Sequence, residues 1–577
     1  MKKKILPVLI ILLLIVILSA SFAASIIKEH YSPTDETMDL YEYYHLSDTS
    51  HAAIILNNEI LDEQGLLIDG EVYLDYDFVH DNLNSRLYYD SGKQLLLLAF
   101  DADLMKISPD STTAELTSSV QEFSHIIFTL EDENPYISIS FLQEYSDFKA
   151  AFYETPGRLV ITTIYEEVET ASATSATQVR YRGGIKSPVL TELAEGENVT
   201  VLARDEKWTE VITTDGIFGY MPSSKVSDGT ALAPESSYSE EFTHIFLDET
   251  ISLAWHQVAY QGGNRDISSV LDSIGDINVI SPTWFYLNDN QGNIADISSS
   301  SYVETCHSRG IQVWGLVSNL ENPDVSTAAV LTDTDTRQHL IDQLIAAAVN
   351  CGMDGINVDF ESLSVDTIGD SFIEFIRELS IRCKEENLIL SVDNYVMSSY
   401  SNFYNRAEQA KFADYVIIMA YDEHYYGSDD GSVASLPWVE NGILGTMEQV
   451  PASQIILGNP FYTRIWKLTP KSGADTSVTD DSDHSSTYDI SSEVAGMDTA
   501  AASIKAHSAE ITWSEEDQQN YAEWNEGDTL YRCWLEDSTS MQERLDLINK
   551  YTLAGAAFWK LGFETDDIWE LIDSSLH

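Results

Sequence analysis

Three polar side chains alternate with three large apolar ones in the run Asp354-Gly355-Ile356-Asn357-Val358-Asp359-Phe360-Glu361. Along an extended strand successive side chains point to opposite faces, so Asn357, Asp359 and Glu361 share one face and Ile356, Val358 and Phe360 the other. An amide and two carboxyls at this spacing suit proton transfer. Neighbouring carboxyls withdrawn from water raise one another's affinity for a proton, so Glu361 would stay protonated and serve as a general acid. A strand of a parallel sheet normally presents apolar residues on both faces; a polar row therefore carries a desolvation cost that a purely structural strand avoids. A hydrogen-bonded polar plug is the bland alternative.

The elements that must hold this row repeat from about His244 onward as strand followed by helix. The strand candidates are Ser252 to Trp255, Asn278 to Trp284, Gln312 to Val317, Gly355 to Phe360, Leu388 to Asp393, Tyr415 to Tyr421, Ile455 to Gly458 and Ala556 to Trp559. Eight such units predict a closed (β/α)8 barrel, whose chemistry lies at the C-terminal ends of the strands. Trp284 and Tyr286 after the second strand, Tyr421 and Asp422 after the sixth, and Trp559 on the eighth fall at those ends. Asp354 precedes the polar row and reads as ordering the turn. The long excursion between strands seven and eight includes the acidic, Ser/Thr-rich run Asp475 to Asp489, which reads as a solvated loop.

The motifs resemble family 18 glycoside hydrolases, whose strand-four signature is Asp-Gly-x-Asp-x-Asp-x-Glu. Met419-Ala420-Tyr421-Asp422 resembles the family's strand-six Met-x-Tyr. Gly458-Asn459-Pro460-Phe461-Tyr462 resembles its strand-seven segment and Phe558-Trp559-Lys560-Leu561-Gly562 its strand-eight Trp segment. The resemblance implies substrate-assisted, retaining hydrolysis without a cofactor or metal. Glu361 would be the acid and later the base. Asp359 would orient the sugar's acetamide and offset the oxazolinium charge, and the Tyr421 hydroxyl would hold the acetamide oxygen. Trp559 would form the apolar floor beneath the sugar. Asn357, Asp422, Trp284 and Tyr286 are further expected contacts with substrate, and Trp534 and Glu536 resemble a segment that lines the cleft. Asn357 stands where most members carry an Asp. It cannot exchange a proton with Asp359, and it resembles the branch of spore-cortex and cell-wall N-acetylglucosaminidases, which points to peptidoglycan. The competing readings are a chitinase, a lectin-like barrel that binds without turnover, and an ordinary retaining glycosidase with Asp359 as nucleophile.

The 577 residues exceed one compact domain. Met1 and three lysines precede an apolar run from Ile5 to Leu18 and small residues to Ser25, which reads as a signal peptide or uncleaved anchor over 1–25. That predicts a secreted or surface-anchored protein that touches the membrane only through this segment. No cysteine follows the run closely enough for a lipid anchor. Residues 45–165 read as a β-rich α+β module; Val72 to Leu83 has an echo in Tyr136 to Tyr145. Through Leu56-Asn57-Asn58-Glu59 and Asp69 to Leu74 the stretch resembles copper-amine-oxidase-like N-terminal modules, a name that implies no copper. A Ser/Thr/Ala-rich linker is expected over 166–178 and a second linker over 228–243. Between them, 179–227 shows short β runs with Trp208 and Phe218-Gly219-Tyr220 in the order of a bacterial SH3-type barrel. That resemblance implies attachment to the cell wall, while Trp208 itself reads as core. The barrel occupies 244–577.

With 94 Asp plus Glu against 31 Lys plus Arg, the formal net charge is -63. Such a surface repels nucleic acid and anionic headgroups. The four cysteines, Cys306, Cys351, Cys383 and Cys533, all lie late and continue apolar helical series or stand alone, so they read as free thiols rather than a disulfide framework. No His or Cys spacing predicts a metal site.

Overall fold

The structure, a computed structural model, describes residues 5–233, 235–236, 238–275, 277–472 and 484–576. The first nine residues of the acidic run Asp475 to Asp489 lie outside the described residues. Two compact units divide the chain: Met1–Leu87, Ile107–Glu115 and Val120–Glu240 form one, and Tyr88–Lys106, Leu116–Ser119 and Glu241–His577 the other.

The second unit is built on eight parallel strands: β1 (Ile251–His256), β2 (Val279–Leu287), β3 (Gln312–Ser318), β4 (Gly355–Asp359), β5 (Ile389–Tyr395), β6 (Tyr415–Met419), β7 (Ile455–Pro460) and β8 (Gly555–Trp559). Each pairs with the next, and β8 pairs with β1 through Ile251 and Gly555, so the sheet closes. All eight strands expected from the sequence are present in order. Alternation sorts their side chains. Leu253, Trp255, Val279, Trp314, Leu316, Ile389, Ile417, Ile456 and Ala557 fill the barrel interior. Alternate residues such as Ile280, Val313, Ile356, Val358, Leu390 and Val416 pack outward against helices such as Thr334–Cys351 and Ser371–Glu385. Gly355 is glycine for want of room: a Cβ there would sit 2.7 Å from the Ile389 carbonyl and 2.9 Å from the Trp314 ring.

The excursion after β7 is a folded subdomain. Tyr462–Pro470, Tyr488–Gly496, Thr529–Trp534, Gln519–Glu526 and Ile511–Ser514 make a five-stranded antiparallel sheet, and Met497–His507 is a helix. Tyr88–Lys106, expected to stay with the rest of 45–165, belongs to the barrel's unit. Its Asp90 accepts hydrogen bonds from the Thr334 amide (2.9 Å) and hydroxyl (2.6 Å) at the start of helix Thr334–Cys351. Its Ala99 and Leu104 pack against Ile381 and Phe412. The division has a physical cause, because Tyr88–Lys106 has apolar side chains to bury and this face of the barrel supplies apolar partners. The four cysteines are free, three buried and Cys351 half-buried.

In the first unit, Ile5–Tyr31 is one 27-residue helix, about 40 Å long at 1.5 Å per residue. Its Pro7–Tyr31 portion is long and apolar enough to cross a membrane. The echo noted in the sequence corresponds to two strand-helix pairs, Glu71–Asp75 with Tyr76–Asn82 and Asn134–Ser138 with Ile139–Tyr145. Their strands pair antiparallel, Ile137 opposite Leu74. Asp75 and Ser138 cap the two helices, each accepting from a backbone amide of its first turn.

A seven-stranded antiparallel sheet follows and takes in part of each expected linker. Val168–Ser172 pairs with Asn198–Arg204, and Thr230–Leu232 pairs with Val168–Ser172. The stretch 166–178 looks featureless in sequence because its buried residues, Ala171 and Ala173, are small and leave no apolar periodicity.

Candidate active site

At the C-terminal ends of the strands a cavity of about 200 Å³ is lined by Trp255, Asp359, Glu361, Asp393, Met419, Tyr421, Asp422, Tyr462 and Trp559. Of the residues expected at the site, Glu361, Asp359, Tyr421, Asp422 and Trp559 line this space together. Asn357 lies one step below it, fully buried in the barrel. Its amide oxygen accepts from Trp255 Nε1 (2.9 Å) and Ser281 Oγ (3.0 Å), which leaves its NH2 to donate to Asp393 Oδ1 at 2.8 Å. Asn357 is thus a support for side chains that face the cavity.

Trp284 is elsewhere. It is buried between β2 and the helices, donates Nε1–H to Asn264 Oδ1 at 2.8 Å and packs edge-on against Tyr302. The expectation rested on its place near the end of β2, but with Val279 inward and Ile280 outward the alternation along β2 turns Trp284 toward the helices. Tyr286, half-buried beside Ser318, does not line the cavity either. Glu536 is a buried structural charge, accepting from Arg544 (2.8 Å), Gln519 (2.8 Å) and Ser540 (2.9 Å), and Trp534 lies in the antiparallel subdomain with Nε1–H on Asp517. Their position just ahead of helix Ser538–Tyr551 is explained by packing, since Arg544 of that helix needs an internal counter-charge. Asp354 orders the strand start as expected, accepting from the Val313 amide and pairing with His307.

Glu361 follows the end of β4 and is held through its backbone. Asn319 Oδ1 accepts from the Glu361 amide (2.8 Å) and Asn319 Nδ2 donates to the Glu361 carbonyl (3.0 Å) and to Thr327 Oγ1 (3.1 Å). The Tyr404 hydroxyl donates to the Phe360 carbonyl at 3.1 Å, and Ser362 turns the chain through a left-handed conformation, φ 55°. This leaves the Glu361 carboxyl free to face the cavity, and the residue also borders a second cavity of about 430 Å³ with Asn319, Asn322, Ser326, Ser362 and Thr367.

The electrostatics are one-sided. Burial pushes the Glu361 carboxyl above the ordinary carboxylate range, the Tyr395 hydroxyl within hydrogen-bonding reach partly offsets this, and the charges of Asp422 and Glu321 add to the push. Burial raises Asp359 well above its usual value, reinforced by Asp393, Glu361 and Glu321. Burial also keeps the Tyr421 hydroxyl protonated. No Lys, Arg or His lines the cavity among the described residues. A negative, water-poor pocket of this kind stabilises positive charge on a bound molecule and holds at least one carboxyl ready to give up a proton. Trp559, set edge-on to Trp255 with ring centroids 5.9 Å apart, supplies an apolar wall.

Sequence reasoning passed over Asp393, Asn319, Tyr395, Tyr404 and Tyr462. Asp393 had a signal: Ser391, Asp393 and Tyr395 alternate along β5 as Asn357, Asp359 and Glu361 do along β4 and beyond it. Tyr462, whose hydroxyl donates to Asp422 Oδ1 at 2.8 Å, lay within a segment already noted. Asn319 carried none, because it acts on the backbone of a residue 42 positions away.

Residues 303–564 match the sequence model for glycosyl hydrolases family 18. The chain is 24% identical over 307 residues to the "Uncharacterized glycosylase YvbX" of Bacillus subtilis, covering 51% of this chain and 84% of that one. It is 23% identical over 266 residues to the cortical fragment-lytic enzyme of Bacillus anthracis, covering 44% of this chain and 58% of that one. Among solved structures, the spore cortex-lytic enzyme SleL of Bacillus cereus shares the fold with a TM-score of 0.50 at 19% identity, over 61% of this chain and 78% of that one. Residues 303–564 of the barrel thus match family 18 glycosyl hydrolases, and these matches support glycoside hydrolysis as the activity class.

Proposed function

We propose that the protein is an exported hydrolase of β-linked N-acetylglucosamine glycans, with peptidoglycan as its substrate, working by substrate-assisted retaining catalysis. The observation that carries this reading is the convergence of Glu361, Asp359, Tyr421 and Trp559 on one anionic cavity. The sugar rests against Trp559. Glu361 gives its proton to the glycosidic oxygen while the acetamido oxygen of the same sugar attacks the anomeric carbon. The bond to the leaving group breaks as the oxazolinium ring forms, so no protein nucleophile is needed. Asp359 accepts the acetamide N–H and faces the developing positive charge, and Tyr421 O–H donates to the acetamide oxygen. Glu361, now ionised, takes a proton from the water that opens the ring. Peptidoglycan is favoured by the likeness to cortex-lytic enzymes, and the apolar helix Ile5–Tyr31 would export or anchor the chain at the cell surface. The sheet that spans 168–232 would hold it to the wall, as its resemblance to SH3-type modules implies.

The test is digestion of purified peptidoglycan, chitin oligomers and glycoprotein by wild type and Glu361→Gln, with mass analysis of the new reducing ends. New N-acetylglucosamine reducing ends from peptidoglycan are expected, and Glu361→Gln should lower turnover about 10²- to 10⁴-fold, the usual contribution of a general acid. Turnover of substrates lacking the 2-acetamido group would instead make Asp359 a nucleophile and overturn the mechanism.

A further inference from the structure

Beyond Val358 and Val392, the last paired residues of β4 and β5, the next residue on each strand is an aspartate. Asp359 and Asp393 therefore stand side by side on adjacent parallel strands, whose backbones lie about 4.8 Å apart, with both side chains on the inner face. Both line the same cavity. Asp393 is only 1% exposed. Its Oδ1 accepts the hydrogen bond from Asn357, whereas Asp359 Oδ1 is buried without a hydrogen-bond partner among the described residues. Two buried carboxyls this close do not both ionise, so the pair retains one proton.

We propose that Asp393 is the proton-holding partner of Asp359, so that the pair keeps a single proton that resides on Asp359 in the free enzyme and crosses to Asp393 when positive charge forms on the sugar. The assignment in the free state follows from the hydrogen bonds. Asn357 N–H stabilises an ionised Asp393, whereas Asp359 Oδ1 accepts no hydrogen bond that would stabilise its ionised form. In the step itself the Asp359 O–H bond breaks and an Asp393 O–H bond forms. Asp359 is left as the carboxylate facing the acetamide, and the charge of the pair does not change. Asp393 acts through Asp359 and does not touch the sugar. This role rests on the substrate-assisted reading above. Asn357 cannot hold the proton, being an amide fixed by Trp255 and Ser281, so β5 supplies the acid that β4 lacks. The other ionisable groups around the pair are Glu361 at the end of β4, Glu321 beyond β3, Tyr395 and Tyr404 from β5 and the turn after it, and Tyr421 and Asp422 beyond β6. The charges acting on the two aspartates are all carboxylates.

The experiment has two arms. In the first, difference infrared spectra at pH 7 in a Glu361→Gln background compare the protein without and with Asp393→Asn. A protonated-carboxyl band is expected in the former and its loss in the latter, with the same loss in Asp359→Asn. This arm needs no substrate, so it stands even if every glycan tested is refused. In the second arm, Asp393→Asn should lower kcat roughly 10- to 100-fold with KM within threefold and displace the pH profile. The exchange variant Asn357→Asp/Asp393→Asn, which keeps the hydrogen bond and moves the acid to β4, should restore both the band and most of kcat. Should Asp393→Asn not fold, the exchange variant and Asp359→Asn carry the comparison. An unchanged band in Asp393→Asn, or a kcat and pH profile within twofold of wild type, would overturn the proposal.

Discussion

Replacing Asn319 with alanine should disable the site without touching any group that meets the sugar. The side chain clamps both the amide and the carbonyl of Glu361 and bonds Thr327 as well. Removing it strips two backbone groups of their partners, at about 1–3 kcal/mol for each group left dry. Glu361 is half-buried and borders two cavities, so water can approach; the lower end applies, about 2 kcal/mol for the two. If that loss falls on the geometry of the acid in the transition state, kcat drops about 30-fold at 1.36 kcal/mol per decade. If it falls on folding, Tm drops by roughly 2–3 °C. Steady-state kinetics on a chromogenic N-acetylglucosaminide, run beside thermal melts, separates the two. Asn319→Asp refines the comparison: it keeps an acceptor for the Glu361 amide, loses the donor to the carbonyl, and sets a carboxylate beside the acid. Its alkaline limb should move to higher pH, because a nearby negative charge makes Glu361 hold its proton more tightly. A kcat within twofold of wild type for Asn319→Ala, accompanied by a lowered Tm, would refute the positioning role and leave only a structural one.

Activity should fall as pH rises through the elevated pKa of Glu361, since the acid must be protonated to act, and the Glu361→Gln background should lack that limb of any residual rate. Asp359 and Asp393 have folded pKa values above their unfolded ones, so the native state binds more protons and stability falls as pH rises from about 4. Asp393→Asn should therefore melt higher than wild type at pH 7, with the difference vanishing near the unfolded carboxyl range; a constant difference across pH would count against the raised values. Arg544→Met leaves Glu536 buried without its guanidinium and should cost about 3–5 kcal/mol, seen as a lowered denaturation midpoint that the double replacement with Glu536→Gln largely restores.

The barrel was legible because each strand is a short β-branched or aromatic run whose periodicity switches from two to 3.6 and back. The polar row of β4 was legible for the same reason, being an exception to that pattern. Trp284 shows where this reasoning stops: a place near the end of a strand does not fix the face, and the alternation that turns Ile280 outward turns Trp284 outward with it. Asp393 had the alternation of Ser391, Asp393 and Tyr395 behind it, but that row gains its meaning only when Asp393 is seen beside Asp359 on the neighbouring strand. The excursion after β7 hid its sheet because its strands have exposed faces and carry many polar residues, so they resemble a loop in composition. The two supposed linkers hid theirs because pairing of main-chain groups, rather than burial of large side chains, makes them strands.

Asp90 and Thr334 bond to each other across 244 positions of sequence, and Ala99 and Leu104 shield Ile381 and Phe412. During synthesis the segment Tyr88–Lys106 thus emerges long before the helices it will cover and must wait for them. A barrel excised at His244 would bare those apolar side chains and leave Lys384 without Asp101. A single proteolytic cut cannot part the two units cleanly, and an expressible catalytic fragment must begin upstream of Tyr88.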